Sequence, residues 1–193
     1  HSELDAVILG MHAKKNNVEL LKSQALGIRI YSFPEFIFEQ TKTKKRIVVA
    51  GSHGKTTTTA MIMHVMKALD YSFDYLVGSS LEGFDLSVQL SDAEYVILEG
   101  DEYLSSPIDK RSKFHYYDPD IAIITGIAWD HVNVFPTWES YVKTFEEFLT
   151  NMRKSSKAIV FQADKTIQEI IRFADCAIES YTCPEYIIEN ERT

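Results

Sequence analysis

The chain has 193 residues, 45% of them hydrophobic, and a formal net charge of −8, a composition that can bury a substantial core and is unlike that of a disordered chain. An acidic balance of this size argues against nucleic acid or an anionic membrane surface as the main partner. No apolar run approaches the roughly 20 residues of a membrane span and no signal peptide precedes the first strand pattern, so a cytoplasmic protein is expected.

In chain order, Leu4 to Leu9 is a short apolar run ending at Gly10 and reads as a buried strand. Val18 to Leu26 carries a helical apolar pattern that stops at Gly27, a natural C-terminal cap. Ile28 to Tyr31 reads as a second strand, and Pro34 sits where a further helix, Glu35 to Gln40, begins. This β-α-β-α series with short connections is the sequence form of a parallel sheet. The basic stretch Thr41 to Arg46 (TKTKKR) holds no aromatic residue for stacking on a base, and is expected as a solvated linker and domain boundary. Because the chain opens at His1 without a methionine and enters a strand pattern almost at once, a piece of a longer protein is expected. Cys176 and Cys183 are the only cysteines; no histidine or further cysteine stands near them at zinc-ligand spacing, so two free thiols are expected.

The next segment is the most informative. Ile47 to Ala50 reads as a buried strand, Gly51 to Lys55 as a glycine-flanked loop, and the following residues as a helix whose first turn holds Thr56, Thr57 and Thr58. Gly51 and Gly54 let the backbone curl so that N–H groups converge, and a helix N-terminus adds partial positive charge for an anion. Gly51, Ser52, His53, Gly54, Lys55, Thr56 and Thr57 are therefore the candidate nucleotide-binding residues. Lys55 is placed to meet the β- and γ-phosphates of ATP, and the Thr56 hydroxyl to ligate Mg²⁺. The long phosphate-loop pattern needs a glycine where this chain has Val49, so the match is to the shorter form G-S-H-G-K-T. His53 is expected to shape the turn.

Tyr75 to Val77 and the turn Gly78-Ser79-Ser80 lead to a strand, Tyr95 to Leu98, which ends in Glu99-Gly100-Asp101-Glu102. A carboxylate at the C-terminal end of a buried parallel strand is where an α/β sheet places ligand chemistry, so Glu99 is a candidate Mg²⁺ ligand. Ile121 to Thr125 reads as the next strand and is followed by Trp129-Asp130-His131, making His131 a candidate for the same site, with Asp130 either orienting the imidazole or capping a turn. Trp138, Tyr141, Phe145, Phe148 and Leu149 form a helical stripe that reads as core. Two further strands, Ala158 to Phe161 and Cys176 to Ile178, are expected around an Asp164 loop and a helix from Ile167 to Phe173.

Taken together, G-S-H-G-K-T-T-T-T, then E-G-D-E-Y after a strand, then W-D-H after another, resembles the central ATPase domain of the Mur ligases. These are cytoplasmic enzymes that build the peptide of peptidoglycan precursors, with the equivalents G-T-H-G-K-T-T, E-A-D-E and D-H. The resemblance covers Ile47 to about Asp164. It implies an α/β fold: a P-loop-containing, mostly parallel sheet flanked by helices and preceded by part of a Rossmann-like domain. Residues 1–44 would be the C-terminal half of the domain that binds the UDP-sugar, and 45–193 the central ATP-binding domain. The glycine-rich UDP-binding loop and the C-terminal domain that completes the site are not in the sequence, so the chain alone is expected to be inactive. Carried over by position, the resemblance makes Lys55, Glu99 and His131 the catalytic set and Thr56, Glu99 and His131 the Mg²⁺ ligands. The reaction it implies is phosphorylation of a substrate carboxylate by ATP, followed by attack of an amine on the acyl phosphate.

Phe145 stands near the place where several branches carry a carbamylated lysine, and this form resembles the branch acting on UDP-N-acetylmuramate. Asp101-Glu-Tyr103 followed by Asp109-Lys-Arg-Ser-Lys-Phe114 is similar to the ligase that reattaches L-alanyl-γ-D-glutamyl-meso-diaminopimelate; the L-alanine-adding ligase is the alternative. Gly100 in place of alanine and the insert Leu104-Ser-Ser-Pro107 depart from the pattern. Two other readings stay open: a P-loop phosphotransferase that stops at phosphoryl transfer, and a non-catalytic module in which ATP only orders a loop.

Overall fold

The computed structural model describes residues 3–183; the outer ends of the two expected domains, residues 1–2 and 184–193, lie outside the described residues. The chain opens with β1 (Ala6–Leu9), α1 (Val18–Ala25) and β2 (Arg29–Ser32), the two strands pairing in parallel from Ala6 beside Arg29 to Leu9 beside Ser32. Asn17 starts α1 by accepting from the amides of Glu19 and Leu20, and Gly27 leaves it at φ +66°, as a left-handed cap requires. The next helix, α2 (Phe33–Thr41), begins two residues before the expected Glu35. The reason is a reciprocal cap, in which Ser32 accepts from Glu35 N while Glu35 accepts from Ser32 N.

The main sheet holds β3 (Lys45–Ala50), β4 (Phe73–Leu76), β5 (Val88–Gln89), β6 (Tyr95–Glu99), β7 (Ile121–Ile124), β8 (Lys157–Phe161) and β9 (Ala177–Tyr181). Their spatial order is β5-β4-β6-β3-β7-β8-β9, and every neighbouring pair is parallel except β4 and β5. The fold is thus a mostly parallel α/β sheet with helices on both faces. The two-residue strand β5 was not expected, being too short for alternation to register.

Apolar residues alternate across the central strands. Val48, Val96, Leu98, Ala122, Ile124, Ala158 and Val160 pack on α4 (Trp138–Thr150) and α5 (Lys165–Ile170), with a 3₁₀ turn at Ile171–Phe173 continuing α5. On the other face, Tyr75, Val77 and Ile97 meet Met63 of α3 (Lys55–Ala68). A sheet covered on both sides buries nearly every residue of its central strands, and Val48, Val49, Ala50, Val96, Ile97 and Leu98 are all 0% exposed. The expected aromatic stripe is core: Tyr141, Phe145, Phe148 and Leu149 are buried and Trp138 packs partly buried against them. Cys176 is buried and Cys183 exposed, and both are free thiols.

The expected solvated linker at Thr41–Arg46 forms only in part: Lys42, Thr43 and Lys45 are exposed, whereas Thr41, Lys44 and Arg46 are drawn inward. Thr41 is buried and donates to Ile37 O at 2.7 Å. Lys44 Nζ lies 2.9 Å from the buried carboxylate of Asp74 and donates to the carbonyls of Ser91 and Ala93. Arg46, 3% exposed, is the second residue of β3 and donates to Thr41 O, Asp118 O and Asp118 Oδ2. These cations are carried inward by carboxylates and carbonyls from distant segments, which local composition does not register.

Candidate active site

The chain leaves β3, crosses to β4 by way of α3, and returns in β6 beside β3, while β7 lies on the other side. The crevice above β3 is thus a switch point of strand order, where an open α/β sheet binds its ligand at the C-terminal strand ends. Three connections meet there: the loop after β3, the turn after β6 and the segment after β7.

The first is shaped by its glycines. Gly51 has φ +128°, and a Cβ on it would stand 2.2 Å from Thr125 Oγ1 and 3.0 Å from Gly126 O. No larger residue fits where the loop passes under the end of β7. Gly54 has φ +78° and caps α3 without any side-chain hydrogen bond. The first helical bond is from Thr58 N to Gly54 O, so the amides of the opening turn are left for an anion at the positive end of a 14-residue helix. Ser52 N donates to Gly126 O at 2.9 Å, Thr125 Oγ1 to His53 O at 2.6 Å, and Ala128 N to Ser52 Oγ at 2.8 Å. His53 therefore joins the loop through its carbonyl, while its ring is exposed; Thr57 is exposed as well.

Lys55 Nζ folds back over this loop, donating to Gly51 O at 2.6 Å, Ser52 O at 3.3 Å and Glu102 Oε2 at 2.9 Å. Thr56 Oγ1 donates to Glu99 Oε1 at 3.1 Å, and Gly78 N to Glu99 Oε2 at 3.3 Å. Gly78 comes so near that a Cβ there would lie 2.8 Å from Glu99 Oε1. Each Glu99 oxygen thus takes one hydrogen bond and keeps lone pairs for a hard cation. After β6 the chain stays close against β3 at Gly100, whose amide donates to Val49 O at 2.7 Å and whose Cβ would stand 2.9 Å from Val48 Cγ1.

That close approach brings in Glu102, a residue whose part was not legible in the sequence. It is 0% exposed. Besides Lys55 it accepts from the Tyr141 hydroxyl at 3.0 Å, and His131 Nε2 lies 3.4 Å from its Oε1. One donor atom each from Asp101, Glu102 and His131 lie within 4.8 Å of one another. The expected trio is therefore laid out as two neighbouring groups, with Thr56 on Glu99 and His131 on Glu102. His131 has φ +54°, an uncommon backbone for a non-glycine residue. Its ring meets Tyr103 edge-on at 4.6 Å between centroids. Asp130 accepts from His131 N at 2.6 Å, so it caps the turn, and its other oxygen is 3.8 Å from Nε2. Asp101 pairs with Lys113 at 2.5 Å.

Tyr141, expected only as core, also carries a polar function. Its ring packs edge-on against Phe135 and Phe145, and its hydroxyl reaches both Glu102 and, at 2.8 Å, Ser52 Oγ. Burial drives its pKa well above the usual tyrosine range, so it stays protonated and can donate to Glu102.

Residues 49–186 match the family model described as the Mur ligase middle domain. The chain belongs to the Mur ligase family. Among its relatives, the UDP-N-acetylmuramate–L-alanine ligase of Desulforamulus reducens is 31% identical over 181 residues, covering 94% of this chain and 38% of that protein. The UDP-N-acetylmuramate–L-alanyl-γ-D-glutamyl-meso-2,6-diaminoheptandioate ligase of Haemophilus influenzae is 28% identical over 168 residues, covering 86% of this chain and 37% of that protein. The chain thus spans less than two-fifths of the length of these relatives. In fold it is similar to the UDP-N-acetylmuramate:L-alanyl-γ-D-glutamyl-meso-diaminopimelate ligase of Neisseria meningitides. That match has a TM-score of 0.83 at 24% identity and covers 91% of this chain and 58% of that one.

Proposed function

We propose that the full-length protein is an ATP-dependent amide-bond ligase that joins L-alanyl-γ-D-glutamyl-meso-diaminopimelate to UDP-N-acetylmuramate. The observation that carries this reading is one crevice holding an open helix N-terminus, the Lys55 ammonium and the Glu99 carboxylate with free lone pairs. A bare phosphate cradle needs the first two; a ligase must also manage charge on both sides of the transferring phosphoryl group. On the same reading, residues 1–44 belong to the UDP-sugar domain and 45–193 to the central domain. The reaction is cytoplasmic; among the described residues, no helix is long and apolar enough to cross a membrane.

In this reading the loop amides and Lys55 hold the ATP phosphates, Lys55 exchanging its bond to Glu102 for a phosphate oxygen. Thr56 and Glu99 would hold one Mg²⁺ and His131, beside Glu102, a second, which together would supply charge neutralisation at the phosphoryl oxygens. The γ-phosphoryl passes to the substrate carboxylate and ADP leaves. The amine then forms the new C–N bond as phosphate departs and the nitrogen loses a proton.

The tripeptide is favoured by the run Asp101-Glu-Tyr103 and Asp109 to Phe114, which the fold keeps beside the site. Tyr103 packs on His131, and Lys113 pairs with Asp101. L-alanine as the amine is the second reading, favoured by the 31% identity to an L-alanine ligase. The test is an assay of the full-length protein with ATP, Mg²⁺ and UDP-N-acetylmuramate, offering tripeptide and L-alanine in parallel. Tripeptide-dependent phosphate release without L-alanine-dependent release is expected; the reverse selects the second reading, and release with neither amine sinks both. Lys55→Ala should weaken ATP binding at least about 100-fold.

A further inference from the structure

The phosphate loop is anchored twice. The segment after β7 holds it from one side through Gly126 O, Thr125 Oγ1 and Ala128 N. From α4 it is held by the side chain of Tyr141, which stands 89 positions from Ser52 and 39 from Glu102 in the sequence. The hydrogen-bond directions follow from the donors available. A buried carboxylate can only accept, so Tyr141 donates to Glu102 Oε1 and its oxygen accepts from the Ser52 hydroxyl. Ser52 Oγ in turn accepts from Ala128 N. Glu102 Oε2 takes Lys55. The result is an unbroken run from Ala128 through Ser52, Tyr141 and Glu102 to the lysine.

We propose that Tyr141 is a positioning residue that presets the phosphate loop, by fixing through one hydroxyl both Ser52 inside the loop and the carboxylate that holds Lys55. The proposal rests on the reading of Lys55 as a phosphate ligand. The phenol is suited to the task because its ring has no freedom: it is 0% exposed and gripped edge-on by Phe135 and Phe145 at 5.1 and 5.3 Å between centroids. Without the hydroxyl, Glu102 Oε1 keeps only the 3.4 Å contact with His131, and a buried carboxylate short of partners reorients. Lys55 then rests on Gly51 O and Ser52 O alone, folded across the loop that the phosphates must enter. Ser52 loses its acceptor at the same time. Fewer molecules hold the loop open and ordered, and apparent affinity falls in proportion. Ser52 keeps the hydroxyl without a methyl at a site only 6% exposed, where Ala128 and Tyr141 both close in.

The test uses the full-length protein with ATP and Mg²⁺ as the probe. Tyr141→Phe keeps the ring and removes only the hydroxyl, and Ser52→Ala breaks the same run from its other end without touching the aromatic packing. We expect each variant to raise the Kd and KM for ATP about tenfold while kcat changes less than about twofold and Tm shifts by no more than a few degrees. The double variant should be no weaker than the weaker single one, because both changes cut one chain of bonds. A merely structural tyrosine would instead lower Tm and the active fraction and leave KM alone. Wild-type KM in Tyr141→Phe, or effects of the two changes that multiply, would overturn the proposal. ATP binding that is indifferent to Lys55→Ala would overturn the nucleotide reading itself, and so separates the two failures.

Discussion

The two ends of β3 carry buried charge to opposite purposes. At its N-terminal end, Arg46 and Arg153 face Asp118 and Asp120, and each cation and anion is answered. Arg46 donates from Nε, NH1 and NH2, its own amide donates to Asp120, and Arg153 spans both carboxylates. At the C-terminal end, Glu99, Asp101 and Glu102 face Lys55, Lys113 and His131 across glycines that leave the backbone exposed to an incoming anion. The closed network holds strands together, whereas the open one holds acceptor capacity in reserve. The difference lies in saturation, since each end sets a buried charge, Arg46 at one and Glu102 at the other, among partly exposed partners.

The largest expected effect comes from the open end. Glu99→Gln keeps the volume and removes the charge, so amide-ligase turnover of the full-length protein should fall by about 10²- to 10³-fold. Stability measured by urea unfolding should stay within about 0.5 kcal/mol. Unchanged ATP-dependent output would favour a module that only senses nucleotide. The mirror-image substitution is Arg46→Met, which removes the guanidinium from the closed end and leaves Thr41 O and Asp118 O without it and Asp118 with Arg153 alone. Leaving buried acceptors without this donor costs about 1–3 kcal/mol, here in unfolding free energy, with the KM for ATP unchanged. A loss of nucleotide affinity in Arg46→Met with intact stability would dissolve the distinction between the two ends.

The same contrast explains what was legible in the sequence. The strand, loop and helix around Gly51–Lys55 could be read because their requirements are local: glycine at positive φ, an apolar strand before, a helix after. Glu99 could be read as well, as the residue where an apolar strand stops. Glu102 could not be assigned, because its burial depends on the close approach of Gly100 to β3 and on Tyr141, 39 positions away. Tyr141 was legible as core and illegible as a donor, since apolar periodicity says where a ring goes and nothing of where its hydroxyl lands. The basic stretch Thr41–Arg46 misled for the same reason: its partners Asp74, Asp118 and Asp120 arrive from other strands and loops.

The smallest effect sharpens the comparison from outside both networks. His115 lies in a 3₁₀ turn, Lys113–Tyr116, stacked on Phe114. It donates from Nε2 to Thr144 O at 2.8 Å in its neutral form. Burial lowers its pKa below the ordinary 6.5. As pH falls below 6.5, the unfolded chain takes up a proton at this residue while the folded chain does not. Stability is therefore full above that pH and declines below it, with a slope no steeper than about 1.4 kcal/mol per pH unit for one proton. Asp109 works in a separate window: Arg111 holds it at about 2 against an ordinary 3.8, so its contribution is present above 3.8 and fades only as pH drops towards 2. His115→Gln should flatten urea-unfolding stability between pH 6.5 and 5 and leave the more acidic decline in place. Because His115 is bonded to α4 at Thr144, one turn beyond Tyr141, mild acid also tests whether loosening that helix reaches the phosphate loop. If the seat of the Tyr141 ring on Phe135 and Phe145 fixes its hydroxyl, the KM for ATP should not follow the His115 titration. If α4 as a whole positions the loop, the two should move together.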